Sequence, residues 1–227
     1  GIETDSRLIE AGDLFLAYKG ANQDGRSFIY DAIEKGAYAV LVEADLVWSD
    51  IQIKEGIPII PIDKLSKKIS KIAARFFDYP AANLTLIGIT GTNGKTSCCQ
   101  FIGECLSMLE YKCGISGTLG YGISGEPFTY DENVPGTTPD AIIVQRIFEE
   151  ARIQNADAMV MEVSSHGLNQ DRVNVNEFNT AVFTNLSRDH LDYHGGMTAY
   201  GEEKRKLFLS PHLEIAVVNM DDMFSAK

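Results

Sequence analysis

Apolar clusters alternate with helical patterns along almost the whole chain. In the first third, DLFLAY (13–18), AYAVLVE (37–43) and IPIIPI (57–62) are short apolar runs typical of buried strands. The intervening segment RSFIYDAIEKG has a helical pattern that ends at Gly36. The N-terminal part is therefore predicted to have a β-α-β arrangement.

A helix and a break come next. Apolar residues recur at helical spacing from Leu65 to Phe76, which predicts an amphipathic helix. The pattern breaks at DYPAAN (78–83), where Pro and Asn favour a turn. We place a domain boundary there, with one domain over 1–80 and a second over 81–227.

The second domain repeats the alternation with longer elements. Helices are predicted from about Lys95 to Leu109 and within TTPDAIIVQRIFEEARI (137–153), with Thr138 as the N-cap and Pro139 as the first helical residue of the second. Continuous apolar strands separated by helices predict an α/β fold with a parallel sheet covered on both faces. The predicted strands are LTLIGIT (84–90), DAMVMEV (157–163), NTAVFTN (179–185) and EIAVVN (214–219).

Composition and charge limit the kinds of partner that the protein is expected to bind. The 227 residues are 44% hydrophobic and 23% charged, as in ordinary globular proteins. With 20 basic and 32 acidic residues the net charge is −12, which disfavours a nucleic-acid partner. The sequence contains no apolar run long enough to span a membrane, and no leader opens it. We expect a cytoplasmic monomer that binds small molecules and not membranes.

The four cysteines are expected to be reduced and to behave as small buried hydrophobes. They contain no C-x-x-C pair, and their grouping fits neither a zinc site nor a disulfide framework. They are Cys98, Cys99, Cys105 and Cys113.

The segment GTNGKTS (91–97) joins a predicted strand to a predicted helix. Such a glycine-rich turn creates a nest of backbone N–H groups at a positive helix end, which suits a triphosphate. Lys95 can reach the outer phosphates, and the Thr96 hydroxyl can ligate Mg²⁺. The strict G-x-x-x-x-G-K-[ST] spacing is not met, because Ile89 stands at the first glycine position. A tight turn without a ligand is the alternative. We predict nucleotide binding by the loop, through Gly91, Thr92, Asn93, Gly94, Lys95, Thr96 and Ser97.

Side chains that could bind a metal ion, a phosphate or a carboxylate lie at the ends of other predicted strands. Glu162 is either a ligand for a hard metal ion such as Mg²⁺ or a solvated carboxylate. Arg172 and Arg188 could each clamp a phosphate or carboxylate, or form surface ion pairs. His190 and His194 are four apart, a spacing compatible with zinc, but neighbouring Asp residues favour Mg²⁺, and His194 is expected to have a non-ligand role.

Five ordered motifs carry a resemblance to a known family. The chain resembles the Mur ligases of peptidoglycan synthesis, and NLSRDHLDYHG is most similar to members that add the third residue of the peptide. The front segment, TDSR to DGRSFI, resembles their UDP-sugar-binding N-terminal domain. The motifs are GITGTNGKTS, GTTPD, MEVSSHGL, TNLSRDHLDYHG and YGEEKRKLF.

The resemblance implies an ATP-dependent ligase. Such enzymes join UDP-MurNAc-L-Ala-D-Glu to meso-diaminopimelate or L-lysine through an acyl phosphate, with Mg²⁺ as cofactor. It implies that Lys95 neutralises the transferring phosphate, and that Thr96, Glu162 and His190 hold metal. Lys204 would be a carbamylated lysine that also binds metal. From the pattern alone, Lys204 belongs to a basic run typical of an exposed helix face.

The resemblance also implies substrate contacts. Relatives commonly have Asn at the position of Gly136, and Ala21 offers no polar side chain beside Asn22, so substrate placement is less defined at both points. The implied contacts are Ser6, Asn22 and Gln23 near the uridine, and Thr137, Thr138, Ser164, Gln170 and Arg172 near the muramoyl peptide.

The resemblance further implies a C-terminal domain that binds the incoming amino acid, so the 227 residues alone are expected not to turn over. Three alternatives stay open: another Mur-type or folylpolyglutamate-type ligase, a nucleotide-binding module without turnover, and a P-loop kinase.

Overall fold

The computed structural model describes residues 1–20, 23–130 and 136–226. The chain divides into two compact units, one over residues 1–76 and the other from residue 77 onward. We call them the N-terminal unit and the second unit.

The N-terminal unit contains a five-stranded sheet with the order β1-β2-β3-β5-β4. All neighbours pair in parallel except β4 and β5, which are antiparallel. One core cluster includes buried residues of β2, β3 and β5. The strands are β1 Ile2–Glu3, β2 Leu14–Ala17, β3 Ala39–Glu43, β4 Gln52–Lys54 and β5 Ile57–Ile62.

Two short helices belong to this unit, α1 (Ile29–Glu34) and α2 (Ile69–Phe76). Gly36 has φ of +98°, so it ends the α1 region in a backbone conformation that favours glycine. Ile29, Ala32 and Ile33 of α1 are buried. The predicted strands and helices of this part of the chain are confirmed, with β1 and β4 as unpredicted additions.

The second unit contains a six-stranded sheet with the order β11-β10-β6-β9-β7-β8. Every neighbouring pair is parallel except β7 and β8, which form an antiparallel hairpin at one edge. The predicted, mainly parallel sheet is confirmed. Its strands are β6 Thr85–Thr90, β7 Cys113–Gly117, β8 Gly120–Ile123, β9 Ala158–Glu162, β10 Thr180–Phe183 and β11 Ile215–Val218.

Apolar cores cover both faces of this sheet around β9. Met159 and Met161 belong to one cluster together with Phe148, and Ala158 and Val160 belong to the other. Alternate residues of one strand point to opposite faces, so a fully buried strand needs apolar residues at every position. The helices are α3 Lys95–Met108, α4 Ala141–Ile153, α5 Ser165–Asn169, α6 Leu191–His194 and α7 Met197–Arg205.

The start of α4 differs from the prediction. Its N-cap is Asp140, whose carboxylate accepts hydrogen bonds from the backbone N–H groups of Ile142 and Ile143. Thr138 cannot cap the helix because its hydroxyl is buried and bonded to backbone groups of Glu162 and Ser164. The predictions that Thr138 is the N-cap and Pro139 the first helical residue are wrong.

The cysteines are all free thiols. Cys99 and Cys113 are buried, and burial raises the pKa of the Cys113 thiol to about 11. Cys105 is exposed and Cys98 partly buried, so the prediction of four buried cysteines fails for Cys105.

Within the described residues, no helix has the length and apolar character needed to cross a membrane.

Candidate active site

The loop between β6 and α3 lies at the carboxyl edge of the second sheet. Gly91 has φ of +148° and Gly94 has φ of +82°, and Gly94 is the N-cap of α3 without any side-chain capping bond. The first N–H groups of a helix have no partner within the helix. The loop therefore presents backbone donors at the positive end of a fourteen-residue helix.

Residues that follow β10 hold this loop. The Thr92 N–H donates to the Asn185 carbonyl at 2.8 Å, and the Asn93 N–H donates to Asn185 Oδ1 at 3.1 Å. The Thr184 hydroxyl donates to the Asn93 carbonyl at 2.6 Å. The loop conformation is thus fixed by a neighbouring strand end as well as by its own glycines.

Lys95 folds back over the loop. Its ammonium donates to the carbonyls of Gly91 and Thr92 at 3.0 and 2.9 Å. Burial lowers its pKa, and the negative charges of Glu162 and Asp189 oppose that shift. One residue on, the Thr96 hydroxyl makes no hydrogen bond to any described residue. The Lys95 ammonium thus lies against the loop carbonyls, while Thr96 is partly buried and Ser97 is exposed.

Lys204 on α7 also contacts the loop between β6 and α3. Its side chain is only 2% exposed, and its ammonium donates to the Gly91 carbonyl at 2.7 Å. Burial and the nearby Lys95 charge lower the pKa of Lys204 to about 7, while Asp189 opposes this shift. The sequence pattern suggested that Lys204 lies on an exposed helix face, and that suggestion is wrong.

Tyr200 links α7 to the loop. The Lys204 Nζ lies 4.5 Å from the centre of its ring, and its hydroxyl lies 3.2 Å from Thr92 Oγ1. Tyr200 is 1% exposed, and burial raises the pKa of its phenol. Tyr200 was not identified from the sequence, although its position one helical turn before Lys204 is the signal that could have found it.

Glu162 is the last residue of β9 and is 1% exposed. Its Oε1 accepts from the Thr118 N–H at 2.8 Å, and its Oε2 lies 3.3 Å from the Thr118 hydroxyl. A solvated strand-end carboxylate is therefore excluded. Thr118 was missed, because nothing in the local sequence connects it to a residue 44 positions away.

Three histidines and a tyrosine gather beside these groups. The ring of His166 lies 4.9 Å from that of His190 and 5.4 Å from that of His194, and Tyr193 packs on it at 4.2 Å. His190 has φ of +49°, and its Nε2 is 3.5 Å from Asp189 Oδ2. His194 Nε2 is 3.0 Å from Ser165 Oγ, so its ring has a hydrogen-bond partner. His166 was not singled out from the sequence.

The predicted peptide-binding residues form one hydrogen-bonded group beside Glu162. Arg172 donates to the Thr138 carbonyl at 2.7 Å and to Gln170 Oε1. Ser164 caps α5 by accepting from the Gly167 N–H. Thr137 Oγ1 lies 3.2 Å from Thr118 Oγ1. Arg188 is exposed.

The N-terminal unit has a separate cleft of about 430 Å³. Ser6 and Gln23 both line it, together with Arg7, Tyr18 and Phe28. Asn22 and its neighbour Ala21 lie outside the described residues. Gly136, in the second unit, has φ of +88° and open space around it.

The donor set around the loop fits Mg²⁺ better than zinc. No group of three or more His, Cys, Asp or Glu side chains in the described ranges could hold a metal ion. Zinc sites need such a group, whereas Mg²⁺ is held by one or two carboxylates, waters and substrate phosphates. The free Thr96 hydroxyl and the oriented Glu162 carboxylate suit the latter.

Comparison with known proteins defines the class. Residues 89–227 match the model of the Mur ligase middle domain, and residues 1–77 match that of the Mur ligase family, catalytic domain. The chain belongs to the Mur ligase family.

Two similar proteins from different bacteria have the same name. The chain is 50% identical over 221 residues to a UDP-N-acetylmuramoyl-L-alanyl-D-glutamate--2,6-diaminopimelate ligase of Coxiella burnetii, covering 97% of this chain and 44% of the relative. It is 48% identical over 227 residues to the ligase of the same name from Pseudomonas aeruginosa, covering 98% and 45%. The chain thus spans less than half the length of these relatives.

Solved structures agree with the fold. A structure of UDP-N-acetylmuramoyl-L-alanyl-D-glutamate--2,6-diaminopimelate ligase superposes with a TM-score of 0.81 at 33% identity, over 100% of this chain and 44% of that one. A Mycobacterium tuberculosis folylpolyglutamate synthase structure gives a TM-score of 0.58 at 22% identity, over 70% of this chain and 42% of that one. At that identity the second likeness concerns the fold alone.

Proposed function

We propose that the full-length protein is an ATP-dependent ligase of peptidoglycan precursor synthesis. It joins UDP-N-acetylmuramoyl-L-alanyl-D-glutamate to 2,6-diaminopimelate, the substrates in its relatives' name. We propose that it works in the cytoplasm as a monomer, with residues 1–80 as the UDP-sugar-binding domain and residues from 81 onward as the ATP-binding domain.

One observation carries the proposal. The ammonium groups of Lys95 and Lys204 both donate to the carbonyl oxygen of Gly91. Two cations that share one acceptor repel each other, and the lowered pKa of Lys204 reflects that repulsion as well as burial. An arriving triphosphate would relieve it by giving Lys95 an anionic partner.

The chemical task explains why such a site is needed. A carboxylate is a poor acyl donor because its leaving group would be oxide. Transfer of the ATP γ-phosphoryl group to the carboxylate gives an acyl phosphate, from which the amine of the second substrate displaces phosphate. Like charges meet in the first step, so positioning and neutralisation dominate catalysis.

Different residues of this chain are assigned to binding the phosphates, the metal ion and the substrate. Backbone N–H groups of residues 94–96, at the start of α3, hold the phosphates, and Lys95 neutralises the group in transfer. Thr96, Glu162 and His190 would hold Mg²⁺, which would neutralise phosphate charge when bound. Arg172, Gln170, Ser164 and Thr137 bind the muramoyl peptide, and the cleft at Ser6 and Gln23 takes the uridine end.

Lys204 has the properties that carbamylation requires. A lysine must lose its proton before its amine attacks CO₂, and a pKa of about 7 leaves a large neutral fraction at neutral pH. The new N–C bond gives a carbamate and releases one proton. The product replaces a cation by an anionic oxygen pair suited to Mg²⁺ and its waters.

The test is ligation by the full-length protein. With UDP-N-acetylmuramoyl-L-alanyl-D-glutamate, ATP and 2,6-diaminopimelate, we expect release of ADP and phosphate and a product whose mass has grown by one diaminopimelate residue. L-Lysine and a folate substrate serve as competing arms. Turnover with folate alone, or nucleotide binding without turnover, would contradict the proposal.

Substitution then tests the site. Lys204→Ala should abolish ligation, whereas Lys206→Ala should not, since Lys206 pairs with Glu203 and is 43% exposed. Equal activity of both variants would remove Lys204 from the mechanism.

A further inference from the structure

The carboxylate of Glu162 is held by a single residue of the neighbouring hairpin. Thr118 gives its backbone N–H to Oε1 at 2.8 Å, and its hydroxyl lies 3.3 Å from Oε2. Both oxygens of a nearly inaccessible carboxylate are thus engaged by one residue. This arrangement fixes the rotation of the carboxylate as well as its position.

The chain makes room for this contact at Gly117. A Cβ atom at Gly117 would stand 2.2 Å from Glu162 Oε1, so any other residue would displace the carboxylate. Gly117 ends β7, which pairs in parallel with β9, so Thr118 and Glu162 lie at the same carboxyl edge of the sheet. That edge also carries the loop between β6 and α3.

The Thr118 hydroxyl also touches the loop that precedes α4. It lies 3.2 Å from the Thr137 hydroxyl. The Thr118 hydroxyl lies within donating distance of both Glu162 Oε2 and Thr137 Oγ1. It carries a single proton, so it donates to one of these two acceptors at a time. A ligand that occupies Thr137 therefore changes how the Thr118 hydroxyl is shared with Glu162.

We propose that Thr118 is a positioning residue for ligation. It orients Glu162 toward the divalent cation and couples that orientation to Thr137, a candidate contact of the muramoyl peptide. The inference rests on the proposed function, because it assigns Glu162 to the cation and Thr137 to the substrate. A ligand that engages Thr137 changes the affinity for the cation, and by linkage the cation changes the affinity for that ligand.

Two substitutions of Thr118 separate the hydroxyl from the rest of the residue. Thr118→Val keeps the shape and the backbone N–H but removes the hydroxyl, and Thr118→Ser keeps the hydroxyl. Thr129→Val is the matched control, since Thr129 is exposed in the same part of the chain and pairs with Tyr121 through its backbone. Thermal melting without ligands checks that every variant folds.

The measurement is Mn²⁺ binding to the full-length protein with ADP, followed by electron paramagnetic resonance. Outer groups that orient a ligand typically contribute about 10-fold or more to metal affinity. We expect Thr118→Val to weaken Mn²⁺ binding by about 10-fold. Thr118→Ser and Thr129→Val should bind Mn²⁺ like the wild type. Thr118→Ala, which removes the hydroxyl without adding a methyl group, should repeat the loss.

A double-mutant cycle with Glu162→Gln distinguishes positioning from a general structural effect. If Thr118 acts through Glu162, Thr118→Val causes no further loss of Mn²⁺ affinity in the Glu162→Gln protein. The inference would be overturned if Thr118→Val bound Mn²⁺ as tightly as the wild type. It would also be overturned if Thr118→Val lowered Mn²⁺ affinity as much in the Glu162→Gln protein as in the wild type. Neither result would affect the proposed ligation. Absence of ligation by the wild type would contradict the proposed function, and the inference with it.

Discussion

Gly91 is the residue on which the nucleotide loop depends most directly. A Cβ atom there would stand 1.9 Å from Thr184 Oγ1, and the φ of +148° is one that residues with side chains rarely adopt. We predict that Gly91→Ala displaces the loop and weakens ADP binding by roughly 10-fold or more, because backbone strain of this kind costs about 1–3 kcal/mol. Isothermal titration calorimetry measures the affinity.

Gly125→Ala is the control for that substitution. Gly125 also has a positive φ, +85°, but has open space around its Cα. ADP affinity should therefore be unchanged. Equal loss in the two variants would show that close packing against Thr184 is not what the loop requires.

Glu177 gives a prediction about pH that is independent of catalysis. Burial raises the pKa of its carboxyl group above the ordinary 4.5, although hydrogen bonds from Gln145 and Asn174 oppose the shift. The folded protein therefore retains this proton at higher pH than the unfolded chain does. Its contribution to stability is fully present below the ordinary pKa and is lost as pH rises through the folded pKa.

Glu177→Gln should remove this dependence. Urea unfolding at a series of pH values starting near 4.5 should show a shallower decline in the free energy of unfolding for the variant than for the wild type. Parallel curves would mean that the Glu177 proton does not distinguish the folded from the unfolded chain.

At the scale of elements, the start of α4 shows how tertiary contacts override a local rule. Thr138 and Asp140 are both good N-cap residues. The sequence does not reveal that the Thr138 hydroxyl donates to the Glu162 carbonyl and accepts from the Ser164 N–H. Asp140, two residues on, is left to cap the helix.

Asp140→Ala should therefore destabilise the protein. The loss of two capping bonds at α4 is expected to lower the free energy of unfolding by about 1 kcal/mol, measured by urea denaturation. Asp140→Asn, which keeps an acceptor oxygen, should lose less. No change in Asp140→Ala would show that the cap contributes nothing to α4.

The elements found from the sequence are those with strong apolar patterns. Strands β6, β9, β10 and β11 carry continuous runs of β-branched or other apolar residues, which periodicity detects. Strand β7 was missed because two of its five residues are glycine, which disfavours strands in isolation. Its Gly114 is nevertheless suited to the sheet, since a Cβ there would lie 2.5 Å from Met159 Sδ. Strand β4 is a three-residue edge strand with little pattern to detect.

The candidate site was predictable only where a residue lies within a recognisable motif. The glycine-rich loop, Glu162 and Lys204 all do, and the structure adds their burial and mutual contacts. Thr118 lies outside those motifs and contacts Glu162 across a separation of 44 residues. That contact arises from the order of strands in the sheet, which local spacing does not encode.

At the scale of the whole molecule, each unit has a sheet and a core of its own. The second unit gathers its chemical groups at the carboxyl edge of a parallel sheet, where ligands of open α/β sheets bind. The chain covers 44% of the Coxiella burnetii relative, so activity has to be tested on the full-length protein.

The central claim is that ATP held at residues 91–97 phosphorylates a substrate carboxylate. The direct measurement is oxygen transfer in the full-length protein, with UDP-N-acetylmuramoyl-L-alanyl-D-glutamate labelled with ¹⁸O in the reacting carboxylate. An acyl phosphate leaves one carboxylate oxygen on the released phosphate, so mass spectrometry should find one ¹⁸O atom in the phosphate from each turnover. Amide formation with unlabelled phosphate would contradict the account.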